Sequence, residues 1–325
     1  MARYLVTGAA GFIGAQVADL LLAAGHTVVG VDNLNDAYDV RLKDWRLSNL
    51  RNRSGFEFRQ IDIVDQDALS NVWGGEPFAG VINLAARAGV RPSVRDPRPY
   101  YETNVLGALN VFEACRHHGV PKVVQASTSS LYGIGNPRPF AESADTRHPL
   151  SPYAATKGAA EMMAYAYHHL HGLDVSVLRY FTVYGPAGRP DMSIFRFIQW
   201  IAEGRRLRLY GDGSFERDFT HVEDIARGTV AALKPVGYEV INLGSDRPFA
   251  MRDIIGKLET LLGKPAKIEQ LEEAPGDMPA TWANIEKAGR LLGWEPAVSI
   301  DDGLEASVAW YLNERSWAHE IDTGD

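Results

Sequence analysis

Short apolar runs rich in β-branched residues alternate with helical patterns along the first half of the chain. Each run predicts a strand. The runs lie at 4–6, 27–31, 56–61, 81–84, 123–126 and 175–178. Apolar residues at helical spacing follow the first run up to Gly25 and recur over 100–118 and 152–171. Because near-continuous apolar strands separated by helices suit a sheet covered on both faces, the pattern predicts a doubly wound parallel α/β fold.

The regular alternation weakens after about residue 180, where glycines and prolines interrupt shorter apolar runs. The run 240–243 predicts one more strand of the first sheet, so the chain should return there. Helical patterns near 251–262, 285–292 and 300–315 complete a smaller unit, and the polar tail 316–325 is expected to be peripheral. We predict two domains: one over 1–180 with a returning segment near 219–245, and a smaller α/β domain over 181–325.

Composition and charge exclude several classes of protein. Of the 325 residues, 46% are hydrophobic and 23% charged, which is typical of a folded globular chain. The net charge of −8 argues against a nucleic-acid partner, although a local arginine cluster can still hold an anionic small molecule. The single cysteine, Cys115, excludes an internal disulfide and favours a reducing, cytoplasmic location. No apolar run approaches the roughly 20 residues of a membrane span, and the histidines lack the partners of a metal site.

A glycine-rich turn stands between the first strand and the first helix. Gly8, Gly11 and Gly14 there allow backbone N–H groups to approach a pyrophosphate at the helix N-terminus. Asp32 ends the second strand, where its carboxylate can accept hydrogen bonds from a ribose and would repel a 2′-phosphate. Asn33 follows without a nearby arginine, so we predict a Rossmann-type site for NAD rather than NADP. Further cofactor contacts are expected from Phe12, Ile13, Asp62, Ile63, Leu84, Ala85, Ala86 and Ser127.

A tyrosine and a lysine stand four residues apart on the helix predicted over 152–171. Lys157 is expected to lower the pKa of Tyr153 and to hold the nicotinamide ribose, so that Tyr153 can act as a general base near neutral pH. The fifth strand carries the hydroxyl groups of residues 127–130 to the carboxyl edge of the sheet, where open α/β sheets bind ligands. The glycine turn, these hydroxyls and the Tyr-Lys pair, in this order, indicate NAD-linked oxidoreduction.

These motifs resemble the extended short-chain dehydrogenase/reductase superfamily, in its nucleotide-sugar epimerase and dehydratase branch, over residues 4 to about 311. The matching segments are GAAGFIG at 8–14, NLAA at 83–86, STSSLYG at 127–133, YAATK at 153–157 and GDGSFERDFTHVEDIA at 211–226. The resemblance implies tightly bound NAD, oxidation of a sugar at C4 to a transient ketone, and Thr128 as the catalytic hydroxyl. It also implies that Asn104 supports the cofactor site.

The same resemblance implies a binding site for the nucleotide and a dimer. Arg217 corresponds to the arginine that binds the substrate diphosphate, and Asp277 to the acid near the nucleotide ribose. Arg208 and Tyr210 correspond to a short strand that lies along the base. A homodimer should pack the two long helices together, because their apolar positions exceed one internal face; these include Val105, Leu109, Met162 and Met163.

Residues after Thr128 distinguish between the reactions of this superfamily. Dehydratases carry an Asp-Glu pair there and decarboxylases a glutamate, whereas this chain has Ser129 and Ser130, so elimination lacks its base. The segments ARAGVR at 86–91, RYFTVYGP at 179–186 and GRPDM at 188–192 resemble UDP-glucuronate 4-epimerases. That resemblance implies a UDP-sugar substrate with a carboxylate at C5. The residues expected to bind the sugar are Arg91, Ser129, Ser130, Thr182 and Arg189, with Arg189 pairing with the carboxylate.

Alternatives remain open at this point. A UDP-glucose 4-epimerase or a UDP-glucuronate decarboxylase of the same fold would share most of these motifs. A non-catalytic NAD-binding regulator would reuse the fold without chemistry, but Thr128, Tyr153 and Lys157 weigh against it because a sensor needs no proton-transfer group. The alternative for Arg189 is a solvated arginine in a surface loop.

Overall fold

The computed structural model describes residues 1–272 and 278–324. The strands are β1 (Arg3–Thr7), β2 (Thr27–Asp32), β3 (Phe56–Gln60), β4 (Gly80–Asn83), β5 (Lys122–Thr128), β6 (Asp174–Tyr180), β7 (Thr182–Tyr184), β8 (Arg206–Tyr210), β9 (Glu216–His221), β10 (Tyr238–Leu243), β11 (Pro248–Ala250) and β12 (Lys267–Leu271). The α-helices are α1 (Phe12–Ala23), α2 (Arg41–Arg51), α3 (Gln66–Ser70), α4 (Val90–Arg95), α5 (Arg98–Tyr101), α6 (Ala108–His117), α7 (Pro152–His171), α8 (Ser193–Ala202), α9 (Val222–Ala231), α10 (Met251–Leu262), α11 (Glu286–Leu292), α12 (Ile300–Asn313) and α13 (Arg315–Ala318).

Seven of these strands form one parallel sheet in the order β10-β6-β5-β4-β1-β2-β3. The predicted doubly wound α/β class is confirmed. The strand order reverses between β1 and β4, and ligands of open α/β sheets bind at such a reversal, beyond the carboxyl ends of the strands. β10 pairs with β6, so the chain returns to the sheet after residue 237 as its apolar pattern predicts.

Neighbouring residues of each central strand pack on opposite faces of the sheet. Val6 and Ile82 belong to the core beneath α1, α9 and α11, whereas Leu5 and Val81 belong to the core beneath α3, α6 and α7. Both faces are therefore covered, which explains why the strands carry apolar runs rather than alternating polar residues.

A third core lies beneath α8, α10 and α12, with β8 and β9 contributing apolar residues. Leu42 of α2 is buried in this core although it precedes residue 180. α2 therefore packs against the predicted substrate domain, and the division of the chain into two domains stays a prediction. Strands β8 and β12 pair in parallel, while β7, β9 and β11 form a separate small sheet.

The structure corrects two expectations about helices and the C-terminus. The helix predicted over 100–118 consists of α5, a π-helical turn over Glu102–Gly107 and α6. The tail predicted to be peripheral instead buries Ala318, Ile321 and Thr323 against α8. Two side chains of α8 hold the tail by hydrogen bonds: Gln199 donates to the Ile321 carbonyl, and Trp200 donates to the Thr323 hydroxyl.

Cys115 lies fully buried in the core beneath α6. Burial raises the pKa of its thiol, so the thiol stays protonated and unreactive. The reducing, cytoplasmic location expected from a single cysteine stays a prediction. Within the described residues, no helix is long and apolar enough to cross a membrane.

Candidate active site

A cavity of about 340 Å³ opens beyond the carboxyl ends of the parallel strands, where the strand order reverses. Most residues predicted to bind cofactor or sugar line it. These are Gly8, Gly11, Phe12, Ile13, Gly14, Asp32, Asn33, Asp62, Ile63, Leu84, Ala85, Ala86, Ser127, Thr128, Ser129, Ser130, Tyr153, Lys157, Thr182 and Arg189. The sheet thus brings together segments that are up to 181 residues apart in the sequence, from Gly8 to Arg189.

The glycine-rich turn is built for close backbone approach. Gly8 has φ +69°, and a Cβ there would lie 2.8 Å from the amide nitrogen of Ala85. A Cβ at Gly14 would lie 2.0 Å from the carbonyl oxygen of Gly8, so any side chain would open the turn. α1 begins after Gly11 without a side-chain cap, and its first residues, Phe12, Ile13 and Gly14, line the cavity. This end of the cavity fits the pyrophosphate of a dinucleotide.

Asp32 is held at the end of β2 by backbone donors. Its Oδ1 accepts a hydrogen bond from Leu34 N at 2.9 Å, and its Oδ2 accepts one from Ala10 N at 3.2 Å. Lys43 Nζ lies 3.4 Å from Oδ1, and both side chains are buried. Sequence reasoning missed Lys43, because no local pattern shows that α2 folds back over the end of β2.

Two further predicted cofactor positions differ in how they are placed. Asn33 Nδ2 donates to Asp62 Oδ2 at 2.7 Å, which ties the ends of β2 and β3 together beside the cavity. Asn104 lies behind the cavity wall rather than in it. Its side chain accepts from Arg87 N at 2.8 Å and donates to Arg87 O at 2.9 Å and Thr156 Oγ1 at 3.0 Å. The structural role expected of Asn104 agrees with these bonds, and its contact with a cofactor stays a prediction.

The three predicted catalytic side chains converge on the cavity from β5 and α7. Ser151 caps α7 by accepting from Ala154 N at 3.2 Å, which places Tyr153 and Lys157 on its first turns. Thr128 and Tyr153 both line the cavity, and Thr128 is close enough to lower the pKa of the phenol, so the hydroxyl and the phenol face the place where a reacting oxygen would bind. The arrangement can move a proton to and from a substrate hydroxyl.

Several groups act on the pKa of Tyr153. Burial raises the pKa of this phenol, and Thr128 and the charge of Arg189 offset only part of that increase. The expected lowering of this pKa by Lys157 stays a prediction. Burial also lowers the pKa of Lys157 to about 8, against the opposing charge of Glu161.

A buried ion pair behind the catalytic residues was not predicted. Arg179 donates to both carboxylate oxygens of Glu161, at 2.9 and 2.7 Å, and Ser127 Oγ donates to the same carboxylate at 2.5 Å. Removing one member of such a pair strands the other charge in the interior. The pair therefore joins β6 to α7, and the Ser127 bond joins the end of β5 to the same carboxylate.

The residues expected to bind the nucleotide sugar fall into two sets. Ser129, Ser130, Thr182 and Arg189 line the cavity. Arg189 is only 22% exposed in its side chain and pairs with Asp191, with Nε–Oδ1 3.0 Å and Nη2–Oδ2 2.5 Å. Its Nη2 also donates to the Ala88 carbonyl at 3.3 Å. The alternative of a solvated loop arginine is therefore wrong.

The second set lies outside the residues that line the cavity. The guanidinium of Arg91 lies over the ring of Tyr210, 4.1 Å from its centroid. Arg208 precedes Tyr210 on β8, and Arg217 on β9 lies over the ring of Phe215. Asp277 lies outside the described residues. Sequence reasoning missed Arg196 of α8. Burial is the largest cause of the lowered pKa of this side chain, and the nearby charges of Arg91 and Arg208 lower it further.

No group of three or more histidine, cysteine or acidic side chains within residues 1–272 and 278–324 is arranged to hold a metal ion. Two carboxylates in the cavity wall, Asp32 and Asp62, are instead occupied by backbone and side-chain donors.

Known proteins resemble this chain in both sequence and fold over most of its length. Residues 4–244 match the NAD dependent epimerase/dehydratase family. A UDP-glucuronate 4-epimerase from Thermodesulfobacterium geofontis is 55% identical over 311 residues, which cover 95% of this chain and 96% of that protein. The UDP-glucuronic acid 4-epimerase from Bacillus cereus, solved with UDP-glucuronic acid and NAD, superposes with a TM-score of 0.90 at 39% identity, covering 96% of this chain and 99% of that one. A Thermus thermophilus UDP-glucose 4-epimerase solved with NAD gives a TM-score of 0.86 at 32% identity, covering 95% and 99%.

Proposed function

The chain belongs to the NAD dependent epimerase/dehydratase family, and we propose that it epimerises UDP-glucuronate at C4 to UDP-galacturonate. One observation carries this proposal. The cavity that holds Thr128, Tyr153 and Lys157 also contains Ser129, Ser130, Thr182 and Arg189, a set of donors suited to a carboxylate. The Thermodesulfobacterium and Bacillus relatives are both described as epimerases that act on this substrate at C4.

The residues around the glycine turn fit NAD. The N–H groups at the start of α1 would hold the pyrophosphate, and Asp32 would accept hydrogen bonds from the adenosine ribose. When bound, NAD supplies the acceptor and the donor for the hydrogen at C4. Lys157, buried beside Tyr153, would bind the nicotinamide ribose and keep positive charge near the phenol.

Tyr153 and Thr128 would handle the proton of the C4 hydroxyl. Tyr153 takes this proton while the C4 hydrogen leaves, and returns it after the ketone has turned its other face. Thr128 hydrogen-bonds the reacting oxygen and the phenol in both steps. Burial raises the pKa of the phenol in the protein alone, and a positive charge next to the phenol would favour its deprotonated form when the complex forms.

The uronate group creates a side reaction that the site must suppress. A 4-keto uronate is a β-keto acid, and it loses CO₂ when its carboxylate stands perpendicular to the ketone plane. Arg189 bonds Asp191 and Ala88 through Nε and Nη2, so its Nη1 can donate to the carboxylate and help to keep it out of that orientation. Ser129 and Ser130 offer no carboxylate base to remove the C5 proton, so elimination is disfavoured as well.

Product analysis without added cofactor tests this function. The purified protein is incubated separately with UDP-glucuronate, UDP-glucose and UDP-xylose, and products are followed by NMR. We expect UDP-galacturonate from UDP-glucuronate, little turnover of the two neutral sugars, and release of NAD when the protein is denatured. Faster turnover of UDP-glucose, a pentose product, or release of NADP alone would each contradict the proposal.

We also propose a homodimer that pairs the helical surface of α5, α6 and α7. Tyr101, Leu106 and Met162 are 49%, 44% and 70% exposed on this surface. Of the positions predicted from the sequence, only Met162 is exposed; Val105, Leu109 and Met163 are partly buried. Exposed apolar side chains grouped on one surface favour association with another chain.

The dimer is tested by its mass and by a charge in the apolar surface. Static light scattering should give twice the chain mass of 35.8 kDa for the wild type. Met162→Lys should shift the protein toward monomer, because a lysine in an apolar interface must be desolvated. An exposed lysine elsewhere, in Glu305→Lys on α12, is the matched control and should leave the mass unchanged. A wild-type monomer at micromolar concentration would contradict the dimer.

A further inference from the structure

Arg46 of α2 is a buried guanidinium that the reaction scheme above does not use. It is 4% exposed. Its Nε and Nη2 both donate to the Ala187 carbonyl, at 3.1 and 2.6 Å, and Nη2 also reaches the Gly188 carbonyl at 3.3 Å. Its Nη1 donates to the Ala10 carbonyl at 3.3 Å and to the Tyr38 hydroxyl at 2.8 Å. One side chain therefore bridges three segments that lie far apart in the sequence.

The bonds to Ala187 and Gly188 act on the loop that carries Arg189. Ala187 has φ +52°, a left-handed conformation that a non-glycine residue rarely adopts. Such a residue persists only where its surroundings hold it. The fork of Arg46 on the Ala187 carbonyl supplies that restraint two residues before Arg189.

The bond to Ala10 acts on the glycine-rich turn. Ala10 lies between Gly8 and Gly11, and its own N–H donates to Asp32. The guanidinium also lies over the ring of Phe12, 5.6 Å from its centroid. Arg46 therefore holds the Arg189 loop at a fixed distance from the turn that would bind the cofactor phosphates.

We propose that Arg46 is a positioning residue that clamps the 187–188 backbone to the glycine turn and thereby aims Arg189 at the sugar carboxylate. The inference rests on the proposed function, since it assigns Arg46 to the recognition of the uronate group. Arg46 is not among the residues that line the cavity, so it acts through the backbone that it binds. Its loss should weaken recognition of the charged sugar more than recognition of the nucleotide.

Arg46→Lys separates the effect of the hydrogen bonds made by the guanidinium from the effect of its positive charge. Arg46→Lys keeps the positive charge but loses the planar fork that reaches Ala187, Gly188 and Ala10 together. Arg51→Lys, exposed at the end of the same helix, is the matched control. If the lysine variant fails to fold, Arg46→Gln is the second variant, which loses both the charge and the fork but keeps an amide donor.

The test combines steady-state kinetics, nucleotide binding and a double-mutant cycle. For Arg46→Lys we expect KM for UDP-glucuronate to rise about tenfold, as for the loss of one hydrogen bond to a charged group. The Kd of UDP alone should stay within about twofold, since UDP has no carboxylate for Arg189 to bind. In an Arg189→Ala background, Arg46→Lys should add little further loss, because the residue that it aims is gone.

Two results would overturn the inference. Equal losses for UDP and UDP-glucuronate would mean that Arg46 only stabilises the fold. Fully additive losses in the double variant would mean that Arg46 acts independently of Arg189. Wild-type protein is assayed in the same series: if it converts UDP-glucuronate while the cycle is additive, only the inference fails. If it converts no UDP-glucuronate, the proposed function fails, and the inference with it.

Discussion

Tyr153→Phe is expected to lower kcat for UDP-glucuronate by about 10²–10⁴-fold, the usual contribution of a general acid–base group. The phenol is the acidic hydroxyl that meets Thr128 in the cavity, and phenylalanine keeps the ring but removes the proton carrier. The ring itself packs edge-on against Tyr100, with the centroids 6.3 Å apart, so the substitution preserves the packing. Binding of the nucleotide sugar should therefore change little.

The measurement is kcat together with the Kd of UDP-glucuronate, each compared with the wild type. Tyr165→Phe is the control, because Tyr165 lies on the same helix and is 55% exposed. It should retain wild-type kcat. A Tyr153→Phe protein that also keeps wild-type kcat would remove Tyr153 from its role as proton carrier.

Arg189→Ala should lower kcat/KM for UDP-glucuronate by roughly 10- to 150-fold. A hydrogen bond to a charged group contributes about 1.5–3 kcal/mol, and about 1.4 kcal/mol corresponds to a factor of ten. The pair with Asp191 already orients the guanidinium in the cavity wall, so the substrate carboxylate meets a positioned donor. Loss of this donor should also let some keto intermediate lose CO₂, because the carboxylate is then free to rotate.

The effect of Arg189→Ala should depend on whether the ligand carries a sugar carboxylate. UDP-glucose and UDP should bind Arg189→Ala nearly as well as the wild type, since neither leaves a charge unpaired. Arg147→Ala is the control: Arg147 also pairs with a neighbouring aspartate, but its side chain is 79% exposed. Equal losses for all three ligands would move the contact of Arg189 from the sugar to the UDP part.

Local patterns were sufficient to predict the sheet and the glycine turn and to place the Tyr-Lys pair on one helix, whereas the proposed role of Thr128 comes from the family resemblance. Apolar runs identify strands whose two faces are both covered, and the parallel order places their carboxyl ends at one edge. Tyr153 and Lys157 share a helix, so their four-residue spacing alone brings them to one face. Thr128 meets them because β5 ends beside the first turn of α7.

The residues that sequence reasoning missed depend on contacts between distant segments. Lys43 and Arg46 lie on α2, and their buried positions follow only from how this helix packs over the glycine turn. Arg196 of α8 lies near enough to Arg91 and Arg208 for their charges to act on its pKa, and the C-terminal tail packs beside it, where Thr323 O accepts from its Nε at 2.7 Å. Asp191 stands beside Arg189 in the sequence, but its pairing depends on the fold of the loop. The spacing of apolar residues along the chain does not predict these contacts between distant segments.

Isotope retention at the sugar carbons tests the central claim, reversible oxidation at C4, most directly. UDP-glucuronate labelled with deuterium at C4 is converted in ordinary water, and unlabelled UDP-glucuronate is converted in D₂O, with both products analysed by NMR. The account predicts UDP-galacturonate that keeps its deuterium at C4 in the first reaction and gains none at C5 in the second. Loss of the C4 deuterium to solvent, or deuterium at C5 from D₂O, would contradict it.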